Sequence, residues 1–208
     1  MKHRLRANGP NFPAFGHVRG LARSSLLACG LGIAVVSCGA SAAHDGDRAA
    51  LKHETSAQEL MRKGDASAEL GDMTRAEQYF VMAQKAGAAD HDVVQRLLVV
   101  CVADQRYPVA LEYAEQHLRR HPADVEVKFV AASLQAAAGN LTVARQLMLD
   151  VLRARPGWAD AHYALASVLR QQGDQQEMAD EHDLEYLRLN PGGSYAEAAR
   201  DRLRRNPR

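Results

Sequence analysis

Gly139-Asn140-Leu141-Thr142-Val143-Ala144 opens a stretch that runs through Met148, Val151 and Leu152 to Arg155-Pro156, and its first two residues recur in kind as Gly173-Asp174. Upstream, Gly71-Asp72 precedes Gly139-Asn140 by twice the step from Gly139 to Gly173. Pro122 and Pro156 are separated by that same step, as are Ala76, Ala110 and Ala144 in succession, and Tyr107 lies one step from both Met73 and Leu141. Several columns therefore share one period and one phase. A glycine suits the residue just past a helix end, where φ turns positive. A proline cannot continue the helix before it. A small residue between them lets two helices approach closely. Each period then reads as a helix–turn–helix unit. One such pair cannot bury its apolar stripe alone, so the units must stack.

The period and the residue types resemble the tetratricopeptide repeat, a helix–turn–helix unit of about 34 residues. Four units fit, at 57–90, 91–124, 125–158 and 159–192. In the first, the small positions are Gly64 and Ala76, the turn glycine is Gly71, and Phe80 and Ala83 follow. The second has Tyr107, Ala110 and Pro122, with Gln105 in place of the turn glycine. The third has Ala132, Gly139, Leu141, Ala144 and Pro156. The fourth has Leu165, Ala166 and Gly173, but its Ala179 and Pro191 come one residue late, as if one residue were inserted after the turn. The tryptophan that opens the family's signature is replaced by Leu60, Val94, Lys128 and His162. The expected fold is all-α: a superhelical solenoid of four units, closed by a capping helix and basic tail at 193–208. Ser194-Tyr195-Ala196-Glu197 matches a capping box that would start that helix. Leu97–Ala103 is apolar and β-branched enough to suggest a strand, but it lies where the phase puts a first helix.

The 208-residue chain is 47% hydrophobic and 25% charged, which excludes disorder throughout and collagen-like or disulfide-dense scaffolds. A formal net charge of +1 gives no whole-chain reason to expect a nucleic-acid partner. The charge is uneven, however. Residues 1–37 hold Lys2, Arg4, Arg6, Arg19 and Arg23 and no acid, and the run from Ser24 to Ser37 is uncharged throughout. That run is too short to span a bilayer and has the layout of an export signal. Val35-Val36-Ser37-Cys38 resembles the lipobox of bacterial lipoproteins, which implies cleavage before Cys38 and acylation of its thiol. Gly39 follows, not Asp, which by the same resemblance implies the outer membrane, facing the periplasm. Two other readings stay open: cleavage after Ala40-Ser41-Ala42 to release a soluble periplasmic protein, or an uncleaved N-terminal anchor. Pro10 and Pro13 lengthen the segment before Arg23, so translation beginning at Val18 is a further alternative. Residues 38–56 read as a tether. With Cys29 in the signal and Cys38 acylated, Cys101 is left as a buried structural thiol.

Motifs for chemistry are absent: there is no GxxxxGK[ST], GxGxxG, GxSxG, HExxH or CxxC. His117 and His121 are four apart on one helix face, but they flank Arg119-Arg120 near a helix end, where cations suit the dipole. With no third ligand nearby in sequence, no metal and no cofactor are expected, and His162 and His182 are assigned to packing. Asn140-Leu141-Thr142 matches a glycosylation sequon but sits in a tight turn of a chain with a bacterial-type signal. The basic tail reads as a solvated cap.

What remains is the concave groove that the family's first helices line. Carried onto this chain, the groove positions are Met61, Asp65, Gln95, Val99, Val102, Phe129, Tyr163 and Arg170. An apolar middle with polar rims suits a helix or extended peptide. The Lys/Asn clamp of repeat proteins that grip chaperone tails is missing. The resemblance thus implies a non-enzymatic, lipid-anchored envelope scaffold with a protein or peptide partner, no nucleic acid and no small-molecule substrate. Its layout is also similar to repeat-bearing lipoproteins of pilus or secretion machinery. The alternative is an accessory or regulatory subunit of an envelope enzyme or of a polysaccharide or cell-wall export system.

Overall fold

The computed structural model describes residues 44–173 and 175–205, with side chains from Ser56 onward. Among these residues the secondary structure is nine helices and no strand: α1 (His44–Glu69), α2 (Met73–Lys85), α3 (Asp90–Ala103), α4 (Tyr107–Arg120), α5 (Val125–Ala137), α6 (Leu141–Ala154), α7 (Ala159–Gln172), α8 (Gln176–Leu189) and α9 (Ala196–Arg205). Each helix packs on its neighbours in chain order. This is an all-α solenoid of helix pairs. None of the described helices is long and apolar enough to cross a membrane.

The turns explain the period. Positions 71, 105, 139 and 173 all have positive φ: Gly71 at 82°, Gln105 at 58°, Gly139 at 83° and Gly173 at 87°. Behind the first three, the chain closes with paired bonds that satisfy the last carbonyls of the first helix. Gly71 N donates to Ala68 O and Asp72 N to Ser67 O; Gln105 and Arg106, and Gly139 and Asn140, repeat the pattern. Gln105 therefore adopts the glycine conformation without being glycine. The three units ending at α4, α6 and α8 each stop two residues before a proline: Pro122, Pro156 and Pro191.

The small positions are where helices meet. Ala76, Ala110, Ala144 and Ala179 are all fully buried. A Cβ on Gly64 would fall 2.3 Å from the Phe80 ring, so α1 and α2 approach as closely as they do only because that position is glycine. The second helices begin at 73, 107 and 141, then at 176 in the fourth unit. The extra residue anticipated after that turn is thus absorbed before α8, and Ala179 still reaches the interface. Leu97–Ala103 is helical, as the phase required.

The core is continuous but graded. Phe80, Leu97, Leu98, Val100 and Val127 fill the first half, and Met148, Val151, Leu165 and Leu169 the second. Tyr163, Tyr186, Ala196 and Ala199 form a third cluster under α9. Cys101 is buried in the first half, and burial pushes its thiol up to about 11, which makes it a packing group rather than a nucleophile.

Two expectations are corrected. The segment 38–56 is not wholly a tether, because α1 begins at His44 and carries the stretch 44–56 as helix. The basic C-terminal helix is not merely solvated, because Arg202 turns inward: its guanidinium lies 4.3 Å from the Tyr163 ring centroid and donates to Tyr163 Oη at 2.9 Å. Residues 1–37, read above as an export signal, Cys38 and the tail from Asn206 lie outside the described residues.

Candidate functional site

The first helices α1, α3, α5 and α7 carry every residue assigned to the groove. Met61 and Val102 are half-buried and pack against the first core cluster. Val99 is 44% exposed, an aliphatic side chain held open to solvent on a helix whose other valines are largely interior. Phe129 is half-buried, its ring 4.7 Å from that of Trp158. Val99 is thus the exposed apolar member of the set, and Met61, Val102 and Phe129 are partly covered.

The polar members are stitched across neighbouring units. Arg96 on α3 donates to Asp65 on α1 at 2.8 Å. Gln95 on α3 donates to Glu126 on α5 at 2.9 Å, and Arg155 holds the other oxygen of Glu126 at 3.0 Å. These pairs are half-exposed, so each adds little to stability. Their effect is to set the register of α1, α3 and α5 along one face.

Tyr163 and Arg170 stand elsewhere. Tyr163 is 7% exposed, stacked on Tyr195 with centroids 4.4 Å apart and covered by Arg202. Burial raises its phenol pKa. Arg170 is spent on Asp180 and on Asp183, the latter at 3.0 Å. Asp183 is fully buried, and that burial pushes its carboxyl up despite Arg170 and Arg202 beside it. The C-terminal end of the row is therefore closed by α8 and α9. A repeat register carried from the family places a residue on a helix face, but it cannot say whether a later helix folds back over that face.

Sequence reasoning also missed a histidine cluster. His117 pairs not with His121 as a ligand couple but with His91 and Asp124. His91 Nδ1 lies 2.6 Å and His117 Nε2 2.9 Å from the same oxygen, Asp124 Oδ2. The other oxygen, Oδ1, accepts Val127 N–H at 3.1 Å and caps α5. The His121 ring lies tilted against that of His117, with centroids 4.6 Å apart. A signal was present: His91 and Asp124 are the first and last residues of the second unit, and stacking brings those ends together. A second pair, His162 and His182, sits between α7 and α8 with facing Nδ1 atoms 2.9 Å apart.

A tetratricopeptide-repeat family model matches residues 102–159 and 150–194. No curated protein matches the chain in sequence. Among solved structures, the chain is similar to YrrB, described as a TPR protein with an unusual peptide-binding site: TM-score 0.60, 23% identity, covering 74% of this chain and 79% of that one. It is similar to a tetratricopeptide repeat protein from Parabacteroides merdae with TM-score 0.63 and 20% identity, over 72% of this chain and 59% of that one. It is also similar to MamA from Desulfovibrio magneticus, with TM-score 0.57 and 22% identity, over 66% of this chain and 77% of that one. The period, the four left-handed turn positions, the buried small column and the family match agree: residues 102–194 belong to the tetratricopeptide-repeat family, and the described helices before them share its fold.

Proposed function

We propose that the protein is a non-enzymatic scaffold that seats a segment of a protein partner along Val99, Val102 and Phe129, on the shared face of the first helices. The observation that carries this reading is Val99, 44% exposed on α3, where the repeat register also assigns the half-buried Val102 and, on α5, Phe129, with the Asp65–Arg96 and Gln95–Glu126 pairs on the same first helices. An apolar strip with a satisfied polar rim binds a helix or extended peptide through side-chain anchors. YrrB, whose fold is similar, is described by its peptide-binding site, which supports the same use of the fold here. We further propose that acylation at Cys38 anchors the scaffold in the cell envelope, facing the periplasm. The support is the uncharged run of 24–37, which follows five basic side chains and ends in Val35-Val36-Ser37 directly before Cys38.

Two measurements test these readings. A photo-crosslinking residue at position 99 should trap a partner in cells, and one at the exposed Gln116 on α4 should not. Adding Phe129→Ala to the position-99 probe should cut the crosslink by about tenfold or more, the loss of one interface anchor. Equal crosslinking from both positions would overturn the groove. A clickable fatty acid should label the wild type and not Cys38→Ser, and label that persists in that variant would remove the anchor.

A further inference from the structure

We propose that His91, His117 and Asp124 form a binding site for one divalent transition-metal cation of the zinc type, placed between the second and third repeats. Three elements meet there: His91 in the first turn of α3, His117 in the last turn of α4, and Asp124 as the N-cap of α5. One donor atom from each residue lies within 4.8 Å of the other two. Two imidazoles and a carboxylate are a donor set that borderline cations prefer, and zinc most readily accepts it in tetrahedral form, with a solvent or other ligand as the fourth.

The spacing is close to what such an ion requires. Zinc–nitrogen and zinc–oxygen bonds of about 2.0–2.1 Å put tetrahedral donor atoms about 3.3 Å apart. The nitrogens now sit 2.6 and 2.9 Å from Asp124 Oδ2, so each contact needs to widen by less than about 1 Å. His91 is the more adjustable ligand, because that ring is half-exposed while His117 is only 3% exposed.

The surroundings are built for a ligand role in three ways. Asp124 divides its oxygens: Oδ1 takes the Val127 N–H and Oδ2 faces the rings, so a cation at Oδ2 leaves the helix cap intact. Behind His91, its Nε2 stands 3.7 Å from Glu126 Oε2. A ligating histidine characteristically gives its other N–H to a carboxylate, which fixes the ring and strengthens the donor. Finally, His117 is an almost fully buried imidazole that aims its Nε2 at Asp124 Oδ2, 2.9 Å away.

A cation there would tie the second repeat to the third at the edge of the face that carries Gln95 and Glu126. Binding is read by isothermal titration of Zn²⁺ into the full chain, with Mg²⁺ as control, and by the visible spectrum of the Co²⁺ form. One Zn²⁺ per chain, a tetrahedral Co²⁺ spectrum and a Tm raised by saturating Zn²⁺ are expected. His91→Ala removes an exposed ligand without opening the core and should weaken Zn²⁺ by about a hundredfold. Asp124→Asn keeps an N-cap residue and should weaken it by at least about tenfold. His182→Gln, at the other histidine pair, should bind as the wild type does. Wild-type binding no tighter than that of the folded His91→Ala and Asp124→Asn variants, or an equal response to Mg²⁺, would overturn the site.

Discussion

Gln105 shows what one side chain can and cannot dictate. Its neighbours in the column, Gly71, Gly139 and Gly173, take positive φ at no steric cost, whereas Gln105 is forced to 58° by the same turn hydrogen bonds. Left-handed backbone costs an L-residue about 1–2 kcal/mol. Glycine would remove that strain and add back roughly 0.5–1 kcal/mol of chain entropy. Gln105→Gly is therefore expected to stabilise the fold by about 0.5–1 kcal/mol, raising Tm by about 2–3 °C in a thermal melt. A lower Tm would mean that the Gln105 side chain stabilises the turn in its own right.

Between elements, the α7–α8 contact is sensitive to acid. His162 Nε2 donates to Pro156 O at 2.9 Å, which leaves His162 Nδ1 as a lone pair facing His182 Nδ1. His182 must then be the donor across the 2.9 Å gap. Protonating His162 would set two donors against each other. Burial first, and His162 second, hold the His182 pKa below its ordinary 6.5, against the pull of Glu181 and Glu185. A depressed folded pKa means that the unfolded chain takes up more protons as pH falls past 6.5. The stability this contact contributes is whole above that pH and is lost on the way down through the folded pKa. Denaturant melts at pH 7.5 and 5.5 should show wild type losing more stability than His182→Gln, whose amide can still donate to His162. Equal losses would place the pH dependence elsewhere.

Across the whole molecule, stability in a stack is a sum of neighbour contacts, and the ends are its weak points. α9 closes one end: Tyr186 Oη receives the Tyr195 N–H at 3.0 Å, and Arg202 covers Tyr163 while meeting Asp183 at 3.5 Å. A chain ending at Gly192 would expose Tyr163 and leave Asp183 with Arg170 as its remaining charged partner. Hydrogen exchange should then show α7 and α8 losing protection while α3 and α4 keep theirs. Uniform loss along the chain would mean that the four repeats unfold as a single cooperative unit.

The period of the repeat, the helical state of Leu97–Ala103, the small column at Ala76, Ala110, Ala144 and Ala179, and the one-residue shift of the fourth unit were all legible in the sequence. They follow from local backbone demands and from spacing along a single helix, and both are written in residue order. The exposure of Val99 was half legible, because the repeat register assigns that position to the outer face of a first helix. That Tyr163 and Arg170 are enclosed by α8 and α9, that α1 starts at His44, and that His91 meets His117 and Asp124 were decided by the tertiary structure. Each depends on which helix ends stacking brings together, across separations as long as that between Tyr163 and Arg202, and a period states only that the helices repeat.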